Sequence, residues 1–302
     1  MPLSDARLFH VNVNCLDLER SQRFYTEGLG LTAGVRTTPE TAQPGAAFGL
    51  DRARWDASIL LGPNGYDGGA IDLLQWHEPA PIGAPPAQVN DSGFQRLGVR
   101  VPDLDATVAR VRSLGGTVWS EPFGHAVEGG GEIRLVLVGD PDGTAIELIE
   151  GGPASLSFVA ITCADIDRSR AFYAALGFRE LAVYPSENPD GAHLRIDGPV
   201  AMDEVVLSAP GRGEVLVMLV GFRTPTVERA PARAANALGM WRAALLVTDL
   251  DAAVEELARN RVATISAPVS MSMGPGLPEL RFVCFRGPND EVLELIEQPA
   301  AN

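Results

Sequence analysis

Positive charge is scarce in this 302-residue chain: 24 basic residues face 39 acidic ones, for a formal charge of −15. Nucleic acid and anionic membrane are therefore excluded as partners, since both recruit a basic footprint. No apolar run approaches the ~18–20 residues that spanning a bilayer requires, and Met1 to Phe9 holds no signal-peptide core. Three cysteines cannot build a disulfide framework, and none sits in a Cys-x-x-Cys pair. Cys15 and Cys163 read as small buried thiols at matching strand ends, and a reduced, cytoplasmic protein is expected. No Ser-His-Asp or Cys-His grouping stands at a defensible spacing. The run Gly129-Gly130-Gly131 does not follow a strand and precede a helix, which excludes a phosphate loop.

What the chain does contain is a repetition of itself. Cys15-Leu16-Asp17-Leu18-Glu19-Arg20-Ser21, followed by Phe24-Tyr25 and Leu29-Gly30, returns as Cys163-Ala164-Asp165-Ile166-Asp167-Arg168-Ser169 with Phe172-Tyr173 and Leu176-Gly177. Val101-Pro102-Asp103-Leu104-Asp105-Ala106 returns as Val247-Thr248-Asp249-Leu250-Asp251-Ala252, and Ile146-Glu147-Leu148-Ile149-Glu150 as Leu293-Glu294-Leu295-Ile296-Glu297. The offsets of 146 to 148 residues are those of duplicated domains, not of a solenoid. The boundary falls at Gly151-Gly152-Pro153, giving domains 1–151 and 152–302.

Each half divides again at a proline-rich connector, 77–93 in the first and 223–239 in the second. The four modules run at about 5–77, 94–150, 155–222 and 240–298. In the first, Phe9, Val11 and Val13 alternate with His10, Asn12 and Asn14, the period of a half-buried strand. Asp17 caps a following helix that Gly28 or Gly30 stops, and Ile59–Leu61 and Ile71–Leu74 form later strands. Module two repeats the plan with Leu97, Val99 and Val101, a helix capped at Asp103, and strands at Ile133–Val138 and Ala145–Ile149. The unit is a strand, a helix, then two or three strands.

That unit, with Asp-Leu-Glu-Arg-Ser-x-x-Phe-Tyr-x-x-x-Leu-Gly and the ending Asp140-Pro141-Asp142-Gly143-Thr-Ala-Ile-Glu-Leu, resembles the vicinal oxygen chelate family. Glyoxalase I, bleomycin-resistance proteins, methylmalonyl-CoA epimerase, fosfomycin-resistance enzymes and extradiol dioxygenases belong to it. The resemblance implies an α+β fold: two tandem glyoxalase-like domains whose paired βαβββ modules curl sheets around a cleft. Fold alone does not imply a reaction.

The family's metal enzymes place one ligand on each of four strands. By that resemblance the positions here are His10, Asp72, Arg96 and Glu147, and in the second copy Phe158, Met218, Arg242 and Glu294. Strand parity supports the two glutamates independently, because a carboxylate on an apolar strand face is costly unless paired or metal-bound. The second half retains Glu294 as its single ordinary hard-metal ligand. In the first half His10, Asp72 and Glu147 can hold a divalent ion (iron, manganese, zinc or nickel), but Arg96 donates no lone pair. If the halves exchange modules, one cleft gathers His10, Asp72, Arg242 and Glu294, and the other Phe158, Met218, Arg96 and Glu147. Either pairing leaves one arginine and one glutamate per cleft, and a single cleft with histidine.

Two functions remain open. One is a small-molecule lyase, isomerase or ring-opening enzyme acting on adjacent oxygens or an enolisable carbonyl. His10 with Glu147 or Glu294 would then serve as acid and base or as metal ligands, and Arg96 or Arg242 would anchor an oxyanion. A dioxygenase is disfavoured because the family's second histidine is missing. The other is metal-free sequestration in a cleft lined by Phe158, Met218, Trp55, Trp76, Trp119 and Trp241, although core packing is the stronger expectation for the tryptophans. Asn12 shares the face of His10 and suits a cleft lining. His77 reads as a packing or surface residue, His193 as exposed after the turn Pro189-Asp190-Gly191. His125 lies in a glycine-rich stretch that fits a flap or a plain hairpin. Because a duplicated chain can complete its own clefts, a monomer is expected.

Overall fold

The computed structural model describes residues 3–127 and 131–298. Module one comprises β1 (Arg7–Asn14), α1 (Leu18–Arg23), β2 (Thr32–Thr37), β3 (Gln43–Pro44), β4 (Arg52–Leu61) and β5 (Ala70–Glu78). Module two comprises β6 (Gly93–Val101), α2 (Leu104–Ser113), β7 (Thr117–Val118), β8 (Phe123–Val127), β9 (Gly131–Gly139) and β10 (Ala145–Glu150). Module three adds β11 (Ser155–Thr162), α3 (Ile166–Ala175), β12 (Arg179–Asn188), β13 (Val200–Ser208) and β14 (Leu216–Thr224). Module four closes with β15 (Gly239–Val247), α4 (Leu250–Arg259), β16 (Val269–Met271), β17 (Leu280–Arg286) and β18 (Val292–Glu297).

Each of the four described α-helices starts at an aspartate whose Oδ1 accepts from the backbone N–H three residues on. The pairs are Asp17 with Arg20 (3.0 Å), Asp103 with Ala106, Asp165 with Arg168 and Asp249 with Ala252 (each 2.9 Å). Each cap contributes about 1 kcal/mol. The glycine-rich stretch is a hairpin, β8 against β9, and its residues 128–130 lie outside the described residues.

The strands form two nine-stranded sheets. In the first the order is β16-β17-β18-β15-β1-β5-β4-β2, with β3 added to β4. In the second it is β12-β13-β14-β11-β6-β10-β9-β7, with β8 added to β9. Each sheet therefore joins one module from either half, one and four in the first sheet, two and three in the second. The chain crosses between sheets at the two proline-rich connectors, which pair with each other through the bridges Ile82 to Ala237 and Asp91 to Glu228. Gly151 and Gly152, at φ 131° and 80°, make the tight link from β10 to β11 within one sheet.

Side-chain alternation sorts the apolar residues into separate bodies. One core gathers Val11 and Val13 of the first sheet, Val99 and Val101 of the second, and residues of all four helices, including Leu18, Val108, Tyr173 and Leu257, with Tyr25 just beyond α1. The opposite face of each sheet carries its own cluster, around Phe48 and Trp76 in one and around Phe158 and Leu137 in the other. The pairing of β1 with β15 shifts register between Leu8 and His10. Such an irregularity re-aims side chains. Phe9 consequently joins His10 on the cleft side instead of alternating with it.

Two buried tyrosines bind the modules together within the shared core. Tyr25 donates to Asp140 Oδ2 of module two, and Tyr173 donates to Glu291 Oε1 of module four, both at 3.0 Å. Burial pushes the Asp140 carboxyl up to about 6 and that of Glu291 up to about 7. Both hold a proton to higher pH when folded than when unfolded, where their ordinary values are 3.8 and 4.5. The folded state therefore binds more protons across this window, and stability falls as pH rises from about 4 to 7. Thermal unfolding is expected roughly 5 °C higher at pH 5 than at pH 8. The double substitution Asp140→Asn and Glu291→Gln, which mimics the protonated acids, should flatten that dependence; an unchanged slope would refute the assignment.

Candidate functional site

The first sheet curls around a cleft of about 520 Å³, and the polar floor of that cleft comes from its four central strands. β1 supplies His10, β5 Asp72, β15 Arg242 and β18 Glu294, and all four are buried. Their convergence follows from register: His10 stands opposite Ala244 of β15, Ala244 opposite Glu294 of β18, and Asn12 opposite Asp72 of β5. Arg242 donates from Nε to Glu294 Oε2 at 2.9 Å and from Nη2 to Asp72 Oδ2 at 3.0 Å. His10 Nε2 lies 3.6 Å from that same Glu294 oxygen and 3.8 Å from that same Asp72 oxygen. Among the described residues, neither ring nitrogen of His10 has a hydrogen-bond partner, nor has Nη1 of Arg242.

Burial raises both acids, but their neighbours separate them. At Asp72 burial prevails over His10 and Arg242, so its carboxyl is held above the usual range. At Glu294 the charge of Arg242, together with His10, overcomes burial and holds the carboxyl below it. The surroundings thus push the two carboxyls in opposite directions.

The walls are apolar. Phe48, delivered by the short turn Ala46–Phe48, lies 5.5 Å from the Arg242 guanidinium carbon and within 5.5–6.0 Å of Trp55, Trp76, Trp241 and Phe282. Trp55, Phe9, Tyr66 and Phe282 line the opening, but Trp76 and Trp241 stand behind Phe48 and are about 98% buried or more. Trp76 donates to Asn14 instead, at 3.0 Å. The Asn12 and Asn14 stripe also turns out to be structural. Asn12 donates to the Asp72 carbonyl at 3.2 Å, and Asn14 clamps the second connector through Ala235 and Ala237 carbonyls at 2.7 Å.

Glu147 and Arg96 belong to the other sheet, so the set His10, Asp72 and Glu147 does not assemble. Exchange of modules puts Glu294 in that place. Arg96 donates to Glu147 Oε2 at 2.7 Å, to Glu204 Oε1 at 2.8 Å and to Gln95 at 3.0 Å, with the Phe158 ring 5.7 Å away. Met218 Sδ sits 3.6 Å from Arg96. Phe158 replaces the histidine and packs so closely over Gly98 that a Cβ there would come within 2.2 Å of its ring. Leu137, Leu194, Ile196 and Phe222 complete a packed cluster, so this cleft is filled by its own side chains. Trp119 belongs to its fringe, with the Arg195 guanidinium 4.3 Å from its ring. His193 is half-buried against Phe123, with ring centroids 5.0 Å apart, and burial lowers its pKa; the turn preceding it does not leave it exposed. His77 pairs with Asp56 at 3.0 Å near the surface.

A divalent cation does not fit the first cleft as built. His10, Asp72 and Glu294 supply three donors, but the fourth vertex is a guanidinium, and both carboxylate oxygens facing His10 already accept from it. A metal would have to displace Arg242 from both acids at once and then face its charge.

The residues sequence reading missed are Phe48, Phe282 and Glu204. Glu204 shares its strand face with Met202 and Val206 on β13, the same parity argument that singled out Glu147. Phe48 and Phe282 carry no such signal, because an aromatic before a turn or within a strand reads as core.

The profile described as Glyoxalase/Bleomycin resistance protein/Dioxygenase superfamily matches residues 7–148 and again 155–295. Lactoylglutathione lyase GLX1 of Arabidopsis thaliana is 32% identical over 185 residues, which is 60% of this chain and 58% of that protein. This chain therefore spans little more than half of the plant relative's length. Lactoylglutathione lyase of Haemophilus influenzae is 30% identical over 146 residues, 48% of this chain and 92% of that one. Glyoxalase I from Zea mays superposes with a TM-score of 0.68 at 20% identity, covering 97% of this chain and 92% of the maize chain, a likeness of fold. Among the described helices none is long and apolar enough to cross a membrane.

Arg242→His restores an imidazole at the fourth vertex and should confer about one equivalent of zinc, read by elemental analysis and a zinc-dependent rise in Tm. The native chain should show neither; one equivalent in the native chain, lost in His10→Ala, would overturn the fit argument. In the filled cleft, Arg96→Met strands the buried Glu147 and the part-buried Glu204 and should cost about 3 kcal/mol in denaturant unfolding. Adding Glu147→Gln and Glu204→Leu should restore most of that loss.

Proposed function

This chain belongs to the glyoxalase/bleomycin resistance protein/dioxygenase superfamily, and from that premise we propose that its His10 cleft is a lyase- or isomerase-type active site. The reaction is proton transfer at a carbon beside a carbonyl. The observation that carries this reading is the set of unpartnered polar atoms, both nitrogens of His10 and Nη1 of Arg242, on the floor of an otherwise apolar cleft. Relatives named lactoylglutathione lyase support the lyase class.

In this reading the substrate carbonyl oxygen takes the free Nη1 of Arg242. A guanidinium fixed by two carboxylates is a preorganised donor for the charge that develops there as the adjacent C–H bond breaks. His10 removes the proton, leaving an enolate and an imidazolium, and the ionised Glu294 at 3.6 Å stabilises that imidazolium. The same imidazolium returns the proton to the neighbouring atom, so isomerisation needs no oxidant or reductant. Asp72 holds the other side of the guanidinium by accepting from Nη2 of Arg242 at 3.0 Å. Glu294 and Asp72 act as positioning residues through Arg242.

We further read the two halves, 1–151 and 152–302, as duplicated domains that have exchanged modules. All four modules come from a single chain, so a monomer in sedimentation is expected.

Proton NMR in deuterium oxide tests the chemistry, with 2-hydroxyacetophenone and the methylglyoxal–glutathione hemithioacetal as probes. Enzyme-dependent exchange at the carbon beside the carbonyl is expected, reduced at least ~100-fold in His10→Ala with folding intact. No exchange on either probe, with ligand binding unaffected by His10→Ala, would replace catalysis by sequestration.

A further inference from the structure

The same cleft carries information about what enters it. Its side walls are aromatic and aliphatic, led by Phe9, Phe48, Trp55, Phe282, Ile59 and Leu277. Two cations reach it. Arg242 has already spent Nε and Nη2 on Glu294 and Asp72, which leaves Nη1 for a single oxygen. Arg7, the other, donates from Nη1 to the Tyr66 carbonyl at 3.0 Å and holds Asp67 through Nη2 at 3.3 Å. All 24 basic residues of the chain are arginine, so no flexible lysine is available to reach in from the surroundings.

A glutathione conjugate would bring two carboxylates, an ammonium and two peptide groups. Burying them requires at least as many polar partners, and each one left unmatched costs about 1–3 kcal/mol. Among the described lining residues the polar side chains beyond the floor are Arg7, Thr37, Tyr66 and Gln298, with Arg7 already engaged. A flat apolar body, in contrast, meets aromatic faces on several sides, each able to stack or pack edge-on.

We propose that the occupant of this cleft is a flat, largely apolar molecule with one oxygen anchor, the carbonyl that becomes the enolate oxyanion, received by Nη1 of Arg242, and not a glutathione conjugate. This narrows the substrate class within the proton-transfer reading and rests on it for the role of the polar floor. Specificity then resides in the aromatic wall, and Trp55 is the lining residue that tests it without touching the Arg242 ion pairs.

Isothermal titration calorimetry on the intact chain decides the matter with three probes: 2-naphthoate, the uncharged 2-naphthylmethanol and S-hexylglutathione. One-to-one binding of 2-naphthoate, at least tenfold tighter than either other probe, is expected. Trp55→Ala should weaken it tenfold or more, and Arg242→Gln should reduce it to the level of the alcohol. If Arg242→Gln does not fold, the Trp55→Ala comparison still decides. S-hexylglutathione binding as tightly as 2-naphthoate overturns the proposal, as does 2-naphthoate binding that Trp55→Ala leaves unchanged. 2-Naphthoate has no exchangeable C–H, so the two readings fail separately. Preferred naphthoate binding without exchange on the other probes sinks only the proton-transfer chemistry. Preferred glutathione binding with exchange sinks only the substrate class.

Discussion

A guanidinium buried at the centre of each sheet is the constraint around which this molecule is organised. Arg242 and Arg96 are each about 95% buried, and a charge so placed survives only if it is matched. Each is held by two carboxylates and faces a phenylalanine ring. Matching Arg242 requires β1, β5, β15 and β18 to keep a fixed register, because Asp72 comes from module one and Glu294 from module four. Slipping any of these strands by one residue would turn a charged partner to the opposite face. The ion pairs thus specify which modules associate, besides whatever they add to stability.

The two copies meet this demand by different sequence routes. Asp72 corresponds in register to Met218, each lying two residues beyond the partner of its module's opening cleft residue. The lost carboxylate is supplied by Glu204, which stands where the first sheet has Ala57: Ala57 pairs with Leu74, and Glu204 with Val220. The same relocation occurs in the shared core. Tyr25 uses Asp140, whereas Tyr173 uses Glu291, and a Cβ added at Gly287 would fall 2.2 Å from the Glu291 carboxylate. Chemistry at a place in the fold is retained while the position along the chain that delivers it moves. This is why residue-by-residue alignment of the halves loses functional groups that the structure keeps.

That distinction also separates what was legible in the sequence from what was not. Modules, helix caps and the four strand positions could be read because they depend on local periodicity and on repeated residues. The partnership of modules could not, because either pairing buries the same faces of the same strands; only the ladder between β1 and β15 and the crossing connectors resolve it. Phe9 reached the cleft through a register shift invisible to alternation. Asn12 and Trp76 share a face with the site yet serve the backbone and Asn14, since facing a cleft and lining it differ by one layer of side chains, here Phe48.

Divergence of the two clefts follows from a few exchanges at equivalent positions. Phe158 for His10 and Met218 for Asp72 replace polar groups by apolar ones, and with Glu204 neutralising Arg96 the second cleft becomes part of the interior. The first cleft retains groups that the described residues do not satisfy: two imidazole nitrogens and one guanidinium nitrogen. Unpaired buried polar atoms cost stability, and a duplicated chain had the means to remove them, as its other half shows. Among the described residues, imidazole and guanidinium atoms left without partners stand in the first cleft, and this asymmetry supports the reading of that cleft as the site.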